Sequence, residues 1–128
     1  MGEHINEQAN QQRSRPVAVR VDLRRSPGDK SVVFVTGELI GGATAAMRRT
    51  VDRELKRSPA ELALELSGVT RIDAAGIDAL VAAARQAGES DISFCLAGVR
   101  GRAVGIALAN ADLTDLFEIF PAIIKTRS

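Results

Sequence analysis

The chain has 128 residues, of which 45% are hydrophobic and 26% are charged, a composition that indicates one globular domain and excludes a disordered or fibrous protein. Its 17 Lys and Arg side chains against 16 Asp and Glu leave a net charge of +1, and aromatic residues make up only 3%. With no large basic excess, and with no Trp or Tyr for base stacking, we expect no direct binding of nucleic acid.

The first fifteen residues differ in composition from the rest of the chain. Residues 1–15 are polar and contain the only histidine, His4, so we expect a disordered tail before a single domain at 16–128. The longest apolar runs, such as 80–84, are far shorter than the roughly 20 residues that cross a membrane. A single cysteine, Cys95, favours a reducing compartment, and a buried structural thiol is favoured over a redox sensor. We therefore expect a cytoplasmic protein without membrane insertion. Its oligomeric state is expected to be a monomer or a weak homodimer.

Alternating apolar residues predict two antiparallel strands at the start of the domain. The alternation runs over 17–23, and its apolar members are Val17, Val19, Val21 and Leu23. The Ser-Pro-Gly-Asp sequence at 26–29 is typical of a turn, and the β-branched run at 31–36 follows it. This arrangement predicts a hairpin.

The apolar spacing then becomes helical. One side of the predicted helix is formed by Ala43, Met47, Val51 and Leu55. The remaining surface is mostly charged, through Arg48, Arg49, Asp52, Arg53, Lys56 and Arg57. We interpret it as a solvated face, with a basic binding patch as the alternative. Pro59 ends the helix, and the apolar run at 62–66 predicts a buried central strand.

The second predicted helix follows Asp73 and is rich in alanine. Asp73 is placed to cap the helix, since its carboxylate can accept the free N–H groups of the first turn. The predicted core stripe consists of Ile77, Leu80, Val81 and Ala84. The other face carries Ala75, Ala79, Ala82 and Ala83. This smooth face suits either a docked partner or simply a stable helix, because alanine is the best helix former.

The last third of the chain predicts one more strand and helix. The strand is indicated by the alternation of Ile92, Phe94 and Leu96, and the helix carries Val104, Leu108 and Ala111. Residues 119–120 predict a short edge strand. The order ββαβαβα with this remnant predicts an α/β fold, with a mixed sheet of four to five strands and helices packed mainly on one face.

Known catalytic motifs are missing from the sequence. It contains no phosphate-binding loop, no nucleophile elbow, no HExxH and no CxxC pair. Glu38, Asp73 and Asp78 lie near the predicted loop end of the sheet, where we favour capping and solvation over paired-carboxylate chemistry. For the segment 98–102, we favour a connecting loop over an anion site. We therefore expect no enzyme, no metal site and no cofactor.

Residues 64–80, LELSGVTRIDAAGIDAL, resemble the signature segment of STAS domains, the fold of bacterial anti-sigma factor antagonists. Residues 35–39 resemble the second strand and loop of that family and 96–99 a later strand and turn, so the resemblance covers about 17–120. It implies a STAS fold and a protein that binds an anti-sigma factor of the serine kinase type and frees a sigma factor. STAS domains also serve as accessory subunits that bind the ATPase of lipid-transport ABC systems, which is the alternative, and a scaffolding subunit of a signalling assembly is a third.

The resemblance also implies a partner-binding surface and a missing switch. The surface comprises Gly41, Gly42, Asp73, Ala74, Ala75, Gly76, Asp78 and Ala79. The family segment has the pattern Asp-Ser-Ser/Thr-Gly, and the partner kinase phosphorylates the second hydroxyl residue, whose position is occupied here by Ala75. Because alanine has no oxygen to accept phosphate, we expect an antagonist that is constitutive or otherwise regulated. Family members usually end in a full helix, whereas the chain from Pro121 onward allows at most about two helical turns.

Overall fold

The computed structural model describes residues 19–124, so the predicted tail at 1–15 and Val17 of the first predicted strand lie outside the described residues. The described elements are β1 (Val19–Ser26), β2 (Lys30–Leu39), α1 (Thr44–Leu55), β3 (Glu61–Ile72), α2 (Ala74–Glu89), β4 (Ser93–Ala97), α3 (Ala103–Asn110) and β5 (Glu118–Phe120). Single 3₁₀ turns precede α1 and β5. The predicted α/β order is confirmed, including the edge strand that follows the last helix.

The five strands form one mixed sheet in the order β1-β2-β3-β4-β5. Strands β1 and β2 are antiparallel, and all other neighbours are parallel. The predicted hairpin is confirmed: Ser26 pairs with Lys30, and Gly28 and Asp29 between them have positive φ angles of 88° and 61°. Such angles suit a tight reversal of the chain.

Strand β3 continues well beyond the predicted run at 62–66. Its second half pairs with the end of β2 across two register shifts, and Gly68 lies opposite Thr36. A Cβ atom on Gly68 would lie 2.5 Å from Thr36 Cγ2, so glycine permits the close approach of the two strands. The small and polar residues after position 66 suggested a turn, but pairing with β2 keeps them extended.

The core lies between one face of the sheet and the three helices. Alternate residues of the central strand, Leu62, Leu64 and Leu66, are completely buried, as the predicted strand requires. Met47, Val51 and Leu55 of α1 are also buried, as predicted, whereas Ala43 lies in the preceding 3₁₀ turn and is half-buried. Helix α1 contacts β1 and β2, α2 contacts β3 and β4, and α3 contacts β3. Among the described residues, no helix is long and apolar enough to cross a membrane.

The buried side of α2 differs from the prediction. Ala79 and Ala83 are 3% and 5% exposed and line the contact with Met47 and Val51 of α1. Their assignment to an exposed smooth face is therefore wrong, because α1 covers that side of the helix and small side chains let the two helices approach. Of the predicted core stripe, Leu80 is fully buried, whereas Ile77, Val81 and Ala84 are half-buried. On α3, Val104 and Leu108 are buried as predicted, but Ala111 lies beyond the helix and is exposed.

The described C-terminal segment lies on the face of the sheet opposite the helices. Residues 121–124 form no helix, and the backbone N–H of Ile123 donates to Glu65 Oε2 at 3.0 Å. Glu65 is 3% exposed and also accepts hydrogen bonds from the backbone N–H and hydroxyl of Ser67. A buried carboxylate with three donors thus holds this segment on the sheet.

Candidate functional site

Two loops meet where the parallel strands β2 and β3 end. Leu39 pairs with Ile72 as the last residues of their strands, so the chain leaves both strands at the same edge of the sheet. The loop after β2 forms a 3₁₀ turn over Gly41–Ala43, and the loop after β3 leads directly into α2. This edge is where open α/β sheets place their binding loops.

The carboxylate of Asp73 joins the two loops. Its Oδ1 accepts the backbone N–H of Gly76 at 3.0 Å, and its Oδ2 accepts that of Gly41 at 3.0 Å. The first bond confirms the predicted cap, since Asp73 is the N-cap residue of α2 with extended backbone. The second bond connects positions 32 residues apart in the chain. Asp73 therefore sets the position of the Gly41 loop as well as the start of the helix.

These backbone donors keep the Asp73 carboxylate charged. The N–H of Gly76 holds the pKa of Asp73 below its ordinary value of 3.8; burial opposes this shift in part, and the N–H of Gly41 adds to it. At neutral pH the group is therefore an anion whose oxygens are occupied by N–H donors. That role is structural and electrostatic, and it leaves the carboxylate poorly placed to carry a proton.

Two glycines have separate reasons to occupy this site. At Gly76, a Cβ atom would lie 2.5 Å from the carbonyl oxygen of Leu39 and 2.6 Å from a side-chain carbon of Ile72. Gly41 has open space around it but a φ angle of +50°, which side chains disfavour. The first turn of α2 thus lies directly against the end of β2, and only a residue without a side chain fits there.

Further side chains support the loops, and of these the sequence analysis singled out Glu38 but neither Thr44 nor Arg71. The Thr44 hydroxyl, almost fully buried, donates to the carbonyl oxygen of Gly41 at 3.1 Å. Arg71 and Glu38 form an exposed ion pair at 3.6 Å across the ends of β3 and β2. Predicting this ion pair would have required the register of β2 against β3, and the hydrophobic pattern of the sequence does not give that register.

The structure brings most of the predicted partner-binding residues to this edge. Gly41, Gly42, Asp73, Ala74 and Asp78 are exposed, and Ala75 is half-buried in the first turn of α2. Gly76 is buried, so it contributes backbone geometry rather than surface. Ala79 does not belong to the exposed set, because its side chain is buried against α1.

Other candidate chemical groups form no catalytic or metal site among the described residues. Glu38 is engaged by Arg71, and no group of three His, Cys, Asp or Glu side chains among residues 19–124 is arranged to hold a metal ion. Cys95 is 4% exposed, and burial, assisted by Glu61 and Glu118, raises its pKa to about 11. The thiol therefore stays protonated at neutral pH, which favours the predicted structural role over redox sensing.

The chain is similar to known proteins in sequence and in structure. The STAS domain family matches residues 20–125. The crystal structure of an anti-sigma factor antagonist from Mycobacterium paratuberculosis is 27% identical over 86% of this chain and 92% of that one, with a TM-score of 0.74.

More distant solved structures share the fold. RsbS S58E of Moorella thermoacetica is 19% identical, covers 82% of this chain and 88% of its own, and has a TM-score of 0.68. The unphosphorylated anti-sigma factor antagonist SpoIIAA of Bacillus is 12% identical, with 81% and 89% coverage and a TM-score of 0.66. No curated protein matches the chain in sequence. The match over residues 20–125, together with the five-stranded mixed sheet and its three helices, shows that this chain belongs to the STAS domain family.

Proposed function

We propose that this STAS domain, spanning 16–128, is an anti-sigma factor antagonist that binds an anti-sigma factor of the serine kinase type and thereby frees a sigma factor. The proposal rests on the sequence Asp73-Ala74-Ala75-Gly76 at the start of α2. It is supported by the 27% sequence identity of the chain to an anti-sigma factor antagonist of the same fold. Its activity is binding, and the residues at the loops perform no chemical step.

The partner docks on the joined loops of the sheet edge. Its contact surface consists of Gly41, Gly42, Asp73, Ala74, Ala75 and Asp78, and the buried Gly76 shapes the turn beneath it. Glycine and alanine lose little side-chain entropy when a partner covers them, and they let its backbone approach closely. The two hydrogen bonds of Asp73 hold the loops in place before binding, which lowers the entropic cost of association.

Ala75 occupies the position that is phosphorylated elsewhere in the family, and alanine cannot accept a phosphate. A phosphate at this position would add about two negative charges beside the Asp73 carboxylate, on the surface that the partner approaches. With methyl groups at Ala74 and Ala75, this surface stays in its unmodified state. The antagonist is then constitutive, or it is regulated by a route other than phosphorylation of this turn.

Binding to purified candidates tests the proposal. The wild-type protein is titrated calorimetrically with each kinase-type anti-sigma factor of the source bacterium, with magnesium and either ADP or ATP, and with the ATPase of its lipid-transport ABC system. We expect one anti-sigma factor to bind and to release its sigma factor. Binding of the transporter ATPase alone would contradict the proposal and identify an accessory subunit instead.

Variants at Ala75 test the missing switch. With the binding anti-sigma factor and ATP, Ala75→Ser gains one phosphate by intact-mass analysis, whereas the wild type gains none. Ala75→Asp weakens binding by placing a second carboxylate beside Asp73, although an acidic residue in the first helical turn favours folding. Ala109→Asp, which changes an exposed alanine on α3, is the matched control and binds like the wild type.

Two results would contradict this account of the turn. The first is phosphate on the wild type, for example at Ser67 or Thr70, accompanied by loss of binding. The second is equal affinity of Ala75→Asp and the wild type, because the loops would then not form the interface.

A further inference from the structure

Helix α1 exposes a group of arginines that the proposed function does not use. Arg48, Arg49 and Arg53 are all exposed, and none has an acidic ion-pair partner within the described part of the chain. We call these three side chains the basic face of α1. A net charge of +1 for the whole chain makes such a local excess of one sign notable.

The carboxylates of the same helix do not neutralise this face. Asp52 accepts a hydrogen bond from Gln86 at 2.9 Å and pairs with Lys56 at 3.2 Å. Glu54 is 2% exposed and accepts two hydrogen bonds from Arg25, each 3.0 Å long. Both acidic side chains are thus engaged elsewhere, and the positive charge of the basic face stays open to a partner.

Helix stability does not account for the basic face. Arg49 and Arg53 are four residues apart, so two like charges lie on the same side of the helix, which is unfavourable. Arg53 lies in the last turn, where a cation is favourable, but Arg48 and Arg49 lie beyond the first turn, where the helix dipole has little effect. Helix stability therefore gives no reason for the positive charges of Arg48 and Arg49.

The basic face adjoins the loops of the proposed partner site. Helix α1 starts at Thr44, directly after the turn whose Gly41 is bonded to Asp73. Arg48 lies four residues further on, about 6 Å along the helix axis. It also lines the groove between α1 and α2, together with Ala82 and other residues of both helices. A protein that covers the loops therefore extends naturally onto α1.

We infer that the basic face of α1 binds an acidic surface of the protein that docks on the loops. This inference rests on the proposed function for the identity of that protein, and it adds the charge of the partner surface. Complementary charge beside the docking site accelerates encounter and discriminates against partners of the wrong sign. An acidic protein surface fits better than nucleic acid, because the net charge of the chain is only +1 and it has no Trp or Tyr for base stacking.

A pair of matched triple variants tests the inference. One carries Arg48→Gln, Arg49→Gln and Arg53→Gln, and glutamine preserves helix propensity. The control carries Arg24→Gln, Lys30→Gln and Arg85→Gln, which are exposed basic residues outside α1 and away from the loop edge and give the same change of net charge. For the anti-sigma factor, we expect the α1 variant to bind about tenfold more weakly, mainly through a slower association rate that depends less on salt. The control keeps wild-type affinity, and equal losses in both variants would overturn the inference.

A second measurement does not depend on the anti-sigma factor. Poly-L-glutamate is titrated into the isotope-labelled wild type and the α1 variant, with duplex DNA in parallel, and backbone amide shifts are followed by NMR. We expect glutamate-induced shifts concentrated on α1 that disappear in the variant. Shifts spread evenly over all exposed arginines, or stronger binding of DNA than of poly-L-glutamate, would overturn the inference. If no anti-sigma factor binds the wild type, the proposed function fails, and this titration still decides for or against the basic face.

Discussion

Asp73 and Gly76 show how single residues shape the candidate site. The cap at Asp73 could be predicted because an N-cap needs only the local sequence before a helix. Its bond to Gly41 could not, since it depends on the parallel pairing of β2 with β3. Gly76 likewise looked like part of a motif, and only the structure shows that its missing side chain makes room for the carbonyl of Leu39.

Two glycines of α2 provide a residue-level test. We expect Gly76→Ala to lower the free energy of unfolding by about 1–3 kcal/mol, because the new methyl group overlaps Leu39 and Ile72. Gly88→Ala is the matched control in the same helix, where a methyl group meets open space. It should raise stability by about 0.4–1 kcal/mol, since alanine reduces the entropy of the unfolded chain. Urea denaturation of both variants measures the difference, and equal effects would show that the close approach at Gly76 is absent.

Some residues that are buried between helices and strands have sequence patterns typical of exposed surface. Ala79 and Ala83 have the spacing of an outer face, yet α1 covers them. The segment after β5 looked too short for a family-like final helix, and its described residues instead lie on the open face of the sheet, where Glu65 accepts the Ile123 N–H. The thiol of Cys95 lies on this same face and lines a cavity with Phe120 and Ile123.

Release of this C-terminal segment should expose the thiol. Glu65→Ala removes the acceptor that holds the Ile123 N–H, so we expect Cys95 to react several-fold faster with a thiol reagent than in the wild type. Glu89→Ala, which removes an exposed carboxylate at the end of α2, is the control and leaves the rate unchanged. The rate is followed by absorbance under native conditions, with the denatured protein as the upper limit. An unchanged rate in Glu65→Ala would show that this contact does not protect Cys95.

Across the whole molecule, carboxylates with lowered pKa values tie distant elements together. The hydrogen bonds from Arg25 hold the pKa of Glu54 below its ordinary value of 4.5, so the end of α1 is tied to β1. The pKa of Asp52 is lowered mainly by its bond from Gln86 of α2. With Asp73 at the loops, these groups link elements that are far apart in the chain.

The lowered pKa values of these carboxylates predict how the stability of the fold depends on pH. Because their pKa values are lower in the folded than in the unfolded state, the unfolded chain binds more protons as the pH falls. The stabilisation is therefore complete above about pH 4.5 and is lost as the pH falls through the ordinary values of 4.5 and 3.8 toward the folded-state values. Thermal unfolding across this range should show a falling midpoint, with a shallower fall for Glu54→Gln, whose amide does not titrate. If the unfolding midpoint of Glu54→Gln fell with pH as steeply as that of the wild type, Glu54 would not contribute to the pH dependence.

The order of strands and helices, most buried residues of β3 and α1, and the cap at Asp73 could all be predicted from the amino-acid sequence. Each of these follows from periodicity or turn chemistry within about a dozen neighbouring residues. The hydrogen bond of Asp73 to Gly41, the burial of Ala79 and the contact of Ile123 with Glu65 could not be predicted in this way. These contacts join segments that are distant in the chain, and strand pairing and helix packing bring them together.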